Sequence, residues 1–328
     1  MPSRFILPPE WHPQDWLWVG FPHDPSEWRG ALARAQEQIA AFADAVARSG
    51  QEVRLIVRDA ANEAAARGLV GPGVTFERRV YGDVWLRDTG PLVVANAAGK
   101  RAARRFGFNG WGGKYLMPGD ESIGAKLAHD VGLAVVVSDW ILEGGAIDSD
   151  GTGLVATTTQ CLLNPNRNPA LSREEIEARL ARDLGLTRVL WLGDGLINDH
   201  TDGHVDNLAR FVAPGRLAIP VATGADDPNA AIYADAARRA RAFGVEVVEV
   251  PSPGRIEVGG VVQPASYMNF VVTTGLVVVP VFGSLHDDAG VAAIAALFPD
   301  RDTVGLMADA VLAGGGGFHC ASQQMPAA

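Results

Sequence analysis

The sequence predicts an α/β fold built from repeated units, and three observations carry that prediction. Five Ala-rich amphipathic stretches each stop at a glycine or proline and run into a strand rich in β-branched residues. Four hairpin-like pairs with turn residues at their middle follow those strands. Glycine, at 38 of 328 residues, is about 12% where roughly 7% is usual. That content suits tight turns between short strands and not a helical bundle.

In chain order, the first helix is expected to open at Ser26 and stop at Gly50, before the strand in QEVRLIV. The second opens at Asp120 and Glu121 and stops at Gly132. The third has the strongest start, Ser172 with Glu175 three residues on, a capping box, and stops at Gly185. The fourth opens at Asp227 and Pro228 and stops at Gly244; the fifth has Asp287 as a weaker cap and ends before Pro299. The hairpins are GPLVVANAAGKRAARRF, GAIDSDGTGLVATT, NLARFVAPGRLAIPV and SYMNFVVTTGLVVVPV. Four hairpins for five helix-strand units leave one unit short. A last strand near 318–322 paired with a first near 16–21 would complete it and close the chain into a ring. The first interval is the longest and places an insertion near 59–83. No low-complexity linker divides the chain, so a single domain over 1–328 is expected.

Composition narrows the function. Hydrophobic residues make up 48% of the chain, ample for a core. Lys and Arg number 28 against 38 Asp and Glu, a net charge of −10. That is the wrong sign for a nucleic-acid backbone or an anionic membrane and the right one for a cationic substrate. Two cysteines cannot make a disulfide framework, which points to a reducing cytoplasm. The opening MPSRFILPPEWHPQDW reads as neither a signal peptide nor a spanning helix.

The candidate chemistry sits in five segments. Cys320 lies in GGGGFHCASQQMP beside His319, after four glycines that let backbone approach a ligand; Cys161, among apolar neighbours, reads as a packed small hydrophobe. NDHTDGHVDN gathers Asp199, His200, Asp202, His204 and Asp206. If His204 and Asp206 begin a strand, the period of two puts both on one face. A metal reading competes there, His and Asp being good ligands, but His200 and His204 lack a helix around Gly203 that would join them. WLRDTGP holds Trp85 and Asp88, the latter either an Arg-Asp turn pair or a site carboxylate. ILEGGAI places Glu143 at a strand end against two glycines, and FNGWGGKY offers Trp111 as the wall of a cation pocket or as part of a surface loop. A cysteine, a histidine and three carboxylates spread over the repeat units suit nucleophilic attack on a planar cation: carboxylates grip the N–H groups, a thiolate attacks the carbon, and an imidazole moves protons.

With those residues in view, the chain resembles the agmatine deiminase family, the bacterial peptidylarginine-deiminase type within the pentein superfamily. The similar segments run in the family's order through LPPEWHPQDWLWVGFPH, WLRDTGP, FNGWGG, LEGGAI, CLLNPNRNP, TDGHVDN and GGGGFHCASQQMP and cover nearly the whole chain. The resemblance implies a five-bladed α/β-propeller. It makes Cys320 the nucleophile, His204 the general acid and base, Asp88 and Asp206 the carboxylates that hold the guanidinium, and Glu143 the group that orients His204. It implies hydrolysis of agmatine to N-carbamoylputrescine and ammonia without cofactor or metal, and a possible homodimer. Trp85 and Trp111 are the expected substrate walls. His200 stands where the family reads an acidic residue, so His200 and Asp199 are the candidates near the far amine. Gly317 stands where Asn is usual, and Ala146 where Ser or Asn is usual. Two other readings remain: a deiminase of free or peptide-terminal arginine, and a propeller that binds a guanidinium or a protein without turning anything over.

Overall fold

The computed structural model describes residues 4–28 and 30–328. Five of its sheets share one plan: a strand pairs antiparallel with a central strand, which pairs parallel with a third after a helical crossover. Four follow the chain directly. They are Leu92–Ala95, Arg101–Gly107 and Val135–Ile141; Asp148–Ser149, Leu154–Thr158 and Arg188–Leu192; Arg210–Ala213, Arg216–Val221 and Glu246–Pro251; and Val271–Val272, Leu276–Val281 and Asp302–Met307. The crossover helices are Asp120–Asp130, Arg173–Leu184, Ala230–Phe243 and Asp287–Ala295.

The remaining unit joins the two ends of the chain. Ser322–Pro326 pairs antiparallel with Gln14–Gly20, which pairs parallel with Glu52–Val57 after the helix Leu32–Arg48. The expected pairing of last strand with first is present. It lies at 322–326 and not 318–322, because 318–321 form a turn whose backbone bonds back on itself, Ala321 N to Gly317 O and Ser322 N to His319 O. The expected insertion is also present, as the helix Ala60–Arg67 and the fourth strand Val74–Arg78. Among the described residues, none of the sheets closes on itself.

Local chemistry set most boundaries. Gly185 and Gly244 end their helices in the left-handed conformation, at φ 74° and 91°, which an L side chain resists. Ser172 and Glu175 form the reciprocal capping box. The first helix departs from expectation. It begins at Leu32, because Ser26 is spent on a tight turn in which its amide and hydroxyl both donate to Asp24 Oδ1.

The apolar core is divided among the units: Trp18, Ile39, Phe42 and Leu55 in one cluster, Leu190, Leu217, Ile219 and Tyr233 in another, Val277, Val279, Ile294 and Phe298 in a third. The polar residues Glu10, Arg87, Asp148, Arg210 and His319 are also buried. They are paired: Arg210 donates to Asp148 at 2.9 Å, to Glu10, and to the carbonyl of Phe270 at 2.9 Å, while Glu10 accepts from Val272 N at 2.7 Å. Buried charges survive only when neutralised and hydrogen-bonded in this way. Among the described residues, no helix is long and apolar enough to cross a membrane.

Candidate active site

Each unit carries a short turn immediately before its antiparallel strand, and those turns deliver the site. Asp88 lies in the single helical turn Leu86–Thr89, Glu143 precedes the 3-10 turn Gly144–Ala146, Asp206 lies in Val205–Asn207, Asn269 in Tyr267–Asn269, and Cys320 in the turn before Ser322–Pro326. His204 and Asp206 do not begin a strand, as the spacing suggested. His204 is the residue before a 3-10 turn, and the strand starts only at Arg210. Both side chains reach the site from that turn instead.

The thiol of Cys320 receives a hydrogen bond from Asn269 Nδ2 at 3.0 Å and lies 3.5 Å from Asp206 Oδ2. Asp88 is held from two sides, by Trp111 Nε1 on Oδ2 at 2.9 Å and by the Gly145 amide on Oδ1 at 2.9 Å. Its Oδ1 is 3.7 Å from His204 Nδ1. Trp111 makes this bond from a left-handed turn, φ 53°, a conformation uncommon outside glycine. Glu143 is fully buried and takes Arg167 Nε on Oε1 at 2.6 Å; Arg167 also reaches Asp202 Oδ2 at 2.6 Å. Four buried polar atoms here have no partner: Asp206 Oδ1, Glu143 Oε2 and both ring nitrogens of His204. Leaving such groups unpaired is costly, and here they are concentrated in one place near Cys320.

The electrostatics are polarised. Burial, with the charges of Asp206 and Asp88, pushes the Cys320 thiol well above its ordinary range, so it is neutral in the free protein. Burial alone would lower His204, but Asp88, Cys161 and Glu143 outweigh it and hold the imidazole well above its usual range. Burial raises Asp206 less than the hydrogen bond and charge of His319, with His204 and Arg210, lower it, and it stays below the usual carboxylate range. Asp88 is raised, burial exceeding the effect of His204.

A cavity of about 220 Å³ reaches this cluster at Asp88 and Cys320 and is lined also by Trp85, Trp111, Glu27, Asp83 and His200 among others, while His204, Asp206 and Glu143 are fully buried outside its lining. The expected walls Trp85 and Trp111 are in place, and His200 faces the cavity. Asp199 does not line it. Its carboxylate accepts from the Thr201 amide and hydroxyl and from Asn207, which ties the loop together.

Glu143, Cys161 and His204 offer atoms within 4.8 Å of one another. The guanidinium of Arg167 already sits on Glu143 there, so a cation at this spot would meet a positive charge. Cys161 is buried as expected, and burial raises its thiol. Sequence reasoning passed over Asn269, Glu10 and Arg167. Asn269 alone carried a usable signal, since SYMN occupies the place before its hairpin that the other site residues occupy before theirs.

Comparison with known proteins follows the same geometry. Residues 6–326 match the Porphyromonas-type peptidyl-arginine deiminase family. The chain is 37% identical to the agmatine deiminase of Pseudomonas putida KT2440, over 98% of this chain and 96% of that protein. It is 35% identical to the agmatine deiminase of Stutzerimonas stutzeri A1501, with the same coverage. Among solved structures, the agmatine deiminase of Enterococcus faecalis superposes with a TM-score of 0.93 at 31% identity, covering 98% of this chain and 96% of that one. The substrate-bound Cys-to-Ser variant of the C. jejuni agmatine deiminase gives 0.92 at 28%, covering 99% and 97%. A dimethylarginine dimethylaminohydrolase, at 14% identity and a TM-score of 0.55 over 95% of this chain and 100% of that one, shares the fold.

Proposed function

Because the chain belongs to the Porphyromonas-type peptidyl-arginine deiminase family, we propose that it is a hydrolase of amidine C–N bonds and that its substrate is agmatine, converted to N-carbamoylputrescine and ammonia. The observation that carries this reading is the cluster of unpartnered buried polar atoms near Cys320, the carboxylate oxygens Asp206 Oδ1 and Glu143 Oε2 with the two ring nitrogens of His204. A guanidinium presents five N–H donors in one plane, the complement of carboxylates placed around it.

Asp88 and Asp206 hold the guanidinium. The cation offsets the two charges that keep the thiol protonated, so the Cys320 proton is released to solvent as substrate binds and the thiolate attacks the guanidinium carbon. His204, protonated in the free protein, gives its proton to the departing nitrogen, and ammonia leaves a thiouronium on Cys320. Neutral His204 then takes a proton from water, whose oxygen adds to the carbon. The C–S bond breaks as the added hydroxyl becomes the ureido carbonyl, and the proton it sheds returns to the Cys320 sulfur. Glu143 holds His204 in register from the side fixed by Arg167.

The rest of the cavity favours an amine-ended tail. Among the described lining residues there is no Lys or Arg to meet the carboxylate of arginine. With Asp199 spent on its own loop, Glu27 and Asp83 are the lining carboxylates left for the far ammonium. We further propose that the five sheets are the blades of a propeller and that the chain is a single domain, since each sheet contributes one turn to one site. A cytoplasmic setting accords with a thiol nucleophile and two unbridged cysteines, and a homodimer remains the expected assembly.

A ureido assay against agmatine, arginine and an amidated arginine dipeptide, without added metal, tests the function. Agmatine alone should turn over, and Cys320→Ala should abolish turnover while leaving the circular dichroism spectrum unchanged. Activity retained in that variant would refute the mechanism.

A further inference from the structure

His319 takes no part in the chemistry above, yet it is 2% exposed and both its ring nitrogens meet carboxylates. Nδ1 is 2.8 Å from Asp206 Oδ2, and Nε2 is 2.7 Å from Glu10 Oε2. A neutral imidazole has one donor and one acceptor nitrogen; whichever nitrogen lacked a proton would point its lone pair at a carboxylate oxygen. Both contacts are satisfied together when the ring donates from both nitrogens.

The residue's backbone is fixed as well. Its amide donates to Asn269 Oδ1 at 2.9 Å, its carbonyl accepts from Arg87 Nε at 3.3 Å, and the next carbonyl, of Cys320, accepts from the Arg87 amide at 3.0 Å. One oxygen of Asp206 is thereby committed to His319, and the other, Oδ1, is buried without a partner.

We propose that His319 is a positioning residue for the deiminase reaction: a buried imidazolium that bridges Asp206 and Glu10, keeps Asp206 ionised and turns its free oxygen toward the guanidinium. This rests on the agmatine reading for its substrate, though not for the protonation state. The charged and titratable groups around the bridge are Glu10, Asp206, Arg87, Arg210 and Asp148 on one side and His204, Asp88 and Cys320 on the other. Arg210 and Arg87 face Glu10 and Asp148 as well as Asp206, so the direct support of Asp206 is His319, with His204 across the site and Arg210 adding to it. Without the bridge, Asp206 loses the partner that favours its charged form, burial favours the protonated carboxyl instead, and its hold on a cation weakens.

Two measurements test this. In wild-type protein carrying 15N-histidine, without substrate at pH 7, the His319 ring is expected to show both nitrogens protonated, assigned by the signal missing in His319→Gln. An unprotonated ring nitrogen would overturn the proposal. In His319→Gln, KM for agmatine should rise about tenfold at pH 7, and the excess over wild type should shrink as the pH is raised and Asp206 regains its charge, with kcat changed less than about threefold. A KM equal to wild type, or one raised equally at every pH, would also overturn it. If the wild-type protein leaves agmatine untouched, the agmatine reading fails and the NMR result still decides the protonation of the bridge.

Discussion

A methyl group at Gly145 would fall 2.6 Å from His204 Nδ1, 2.9 Å from Asp88 Oδ1 and 3.0 Å from Asp206 Oδ2. His204, the proposed acid-base group, and Asp88 and Asp206, the proposed substrate carboxylates, therefore converge on a single backbone position where a side chain would clash. Gly145→Ala should lower kcat/KM by about a hundredfold, since small misplacements of reacting groups cost that much, while thermal stability changes far less; unchanged kinetics would show that the three groups are not the working set. The thiol gives a second prediction at this scale. Burial and the charges of Asp206 and Asp88 hold Cys320 protonated, and a bound guanidinium cancels the charge part of that effect. Thiolate absorbance, measured as the difference between wild type and Cys320→Ala, should titrate at lower pH with an unreactive guanidine bound than without it. Equal titrations would remove the idea that substrate helps ionise its own nucleophile.

The short turn before each antiparallel strand is the functional element, and its placement explains how similar units supply different chemistry. Backbone geometry repeats while the side chain delivered changes from Asp88 to Glu143, Asp206, Asn269 and Cys320. The segment before Leu86–Thr89 is loaded with charge: burial, with Asp120 and Glu27, pushes Asp83 up to about 7, and burial pushes Asp120 up to about 6. The native state thus retains a proton on Asp83 that the unfolded chain releases near pH 4. The stabilisation from that proton is complete below the unfolded value and is lost as pH rises toward 7. Asp83→Asn, which keeps the acceptor for the Val84 amide, should therefore raise Tm more at pH 8 than at pH 5. A gain independent of pH would contradict burial of an ionising carboxyl there.

Across the whole molecule, charge and closure matter most. A net charge of −10 attracts a dicationic substrate over distances comparable to the screening length, about 10 Å at 0.1 M salt. KM for agmatine should rise severalfold between low and high ionic strength while kcat stays nearly constant; a salt-insensitive KM would show that binding is governed by contacts inside the cavity alone. Closure is as specific. The strand Ser322–Pro326 joins the Gln14–Gly20 sheet two residues after Cys320, so the proposed nucleophile is anchored by the pairing of the chain's two ends. Glu10, near one end, and His319, near the other, meet for the same reason.

Features that depend on neighbours a few residues apart were legible in the sequence: the helix-glycine-strand junctions, the capping box at Ser172 and Glu175, and the four hairpins. Periodicity and turn chemistry act over that range. The motifs also singled out Cys320, His204, Asp88, Asp206 and Glu143, which the structure brings together, because buried polar side chains stood there beside glycines that permit close approach. Ser26 misled because a cap signal and a tight-turn signal share residue types, and His204 with Asp206 because a spacing of two also fits a 3-10 turn. Tertiary structure alone decided that Asn269 supports the thiol, that Arg167 fills one side of Glu143, and that His319 lies between Asp206 and Glu10. These partners are tens to hundreds of residues apart, and what brings them together is the meeting of separate sheets at one centre, where buried charges must find counter-charges from other units.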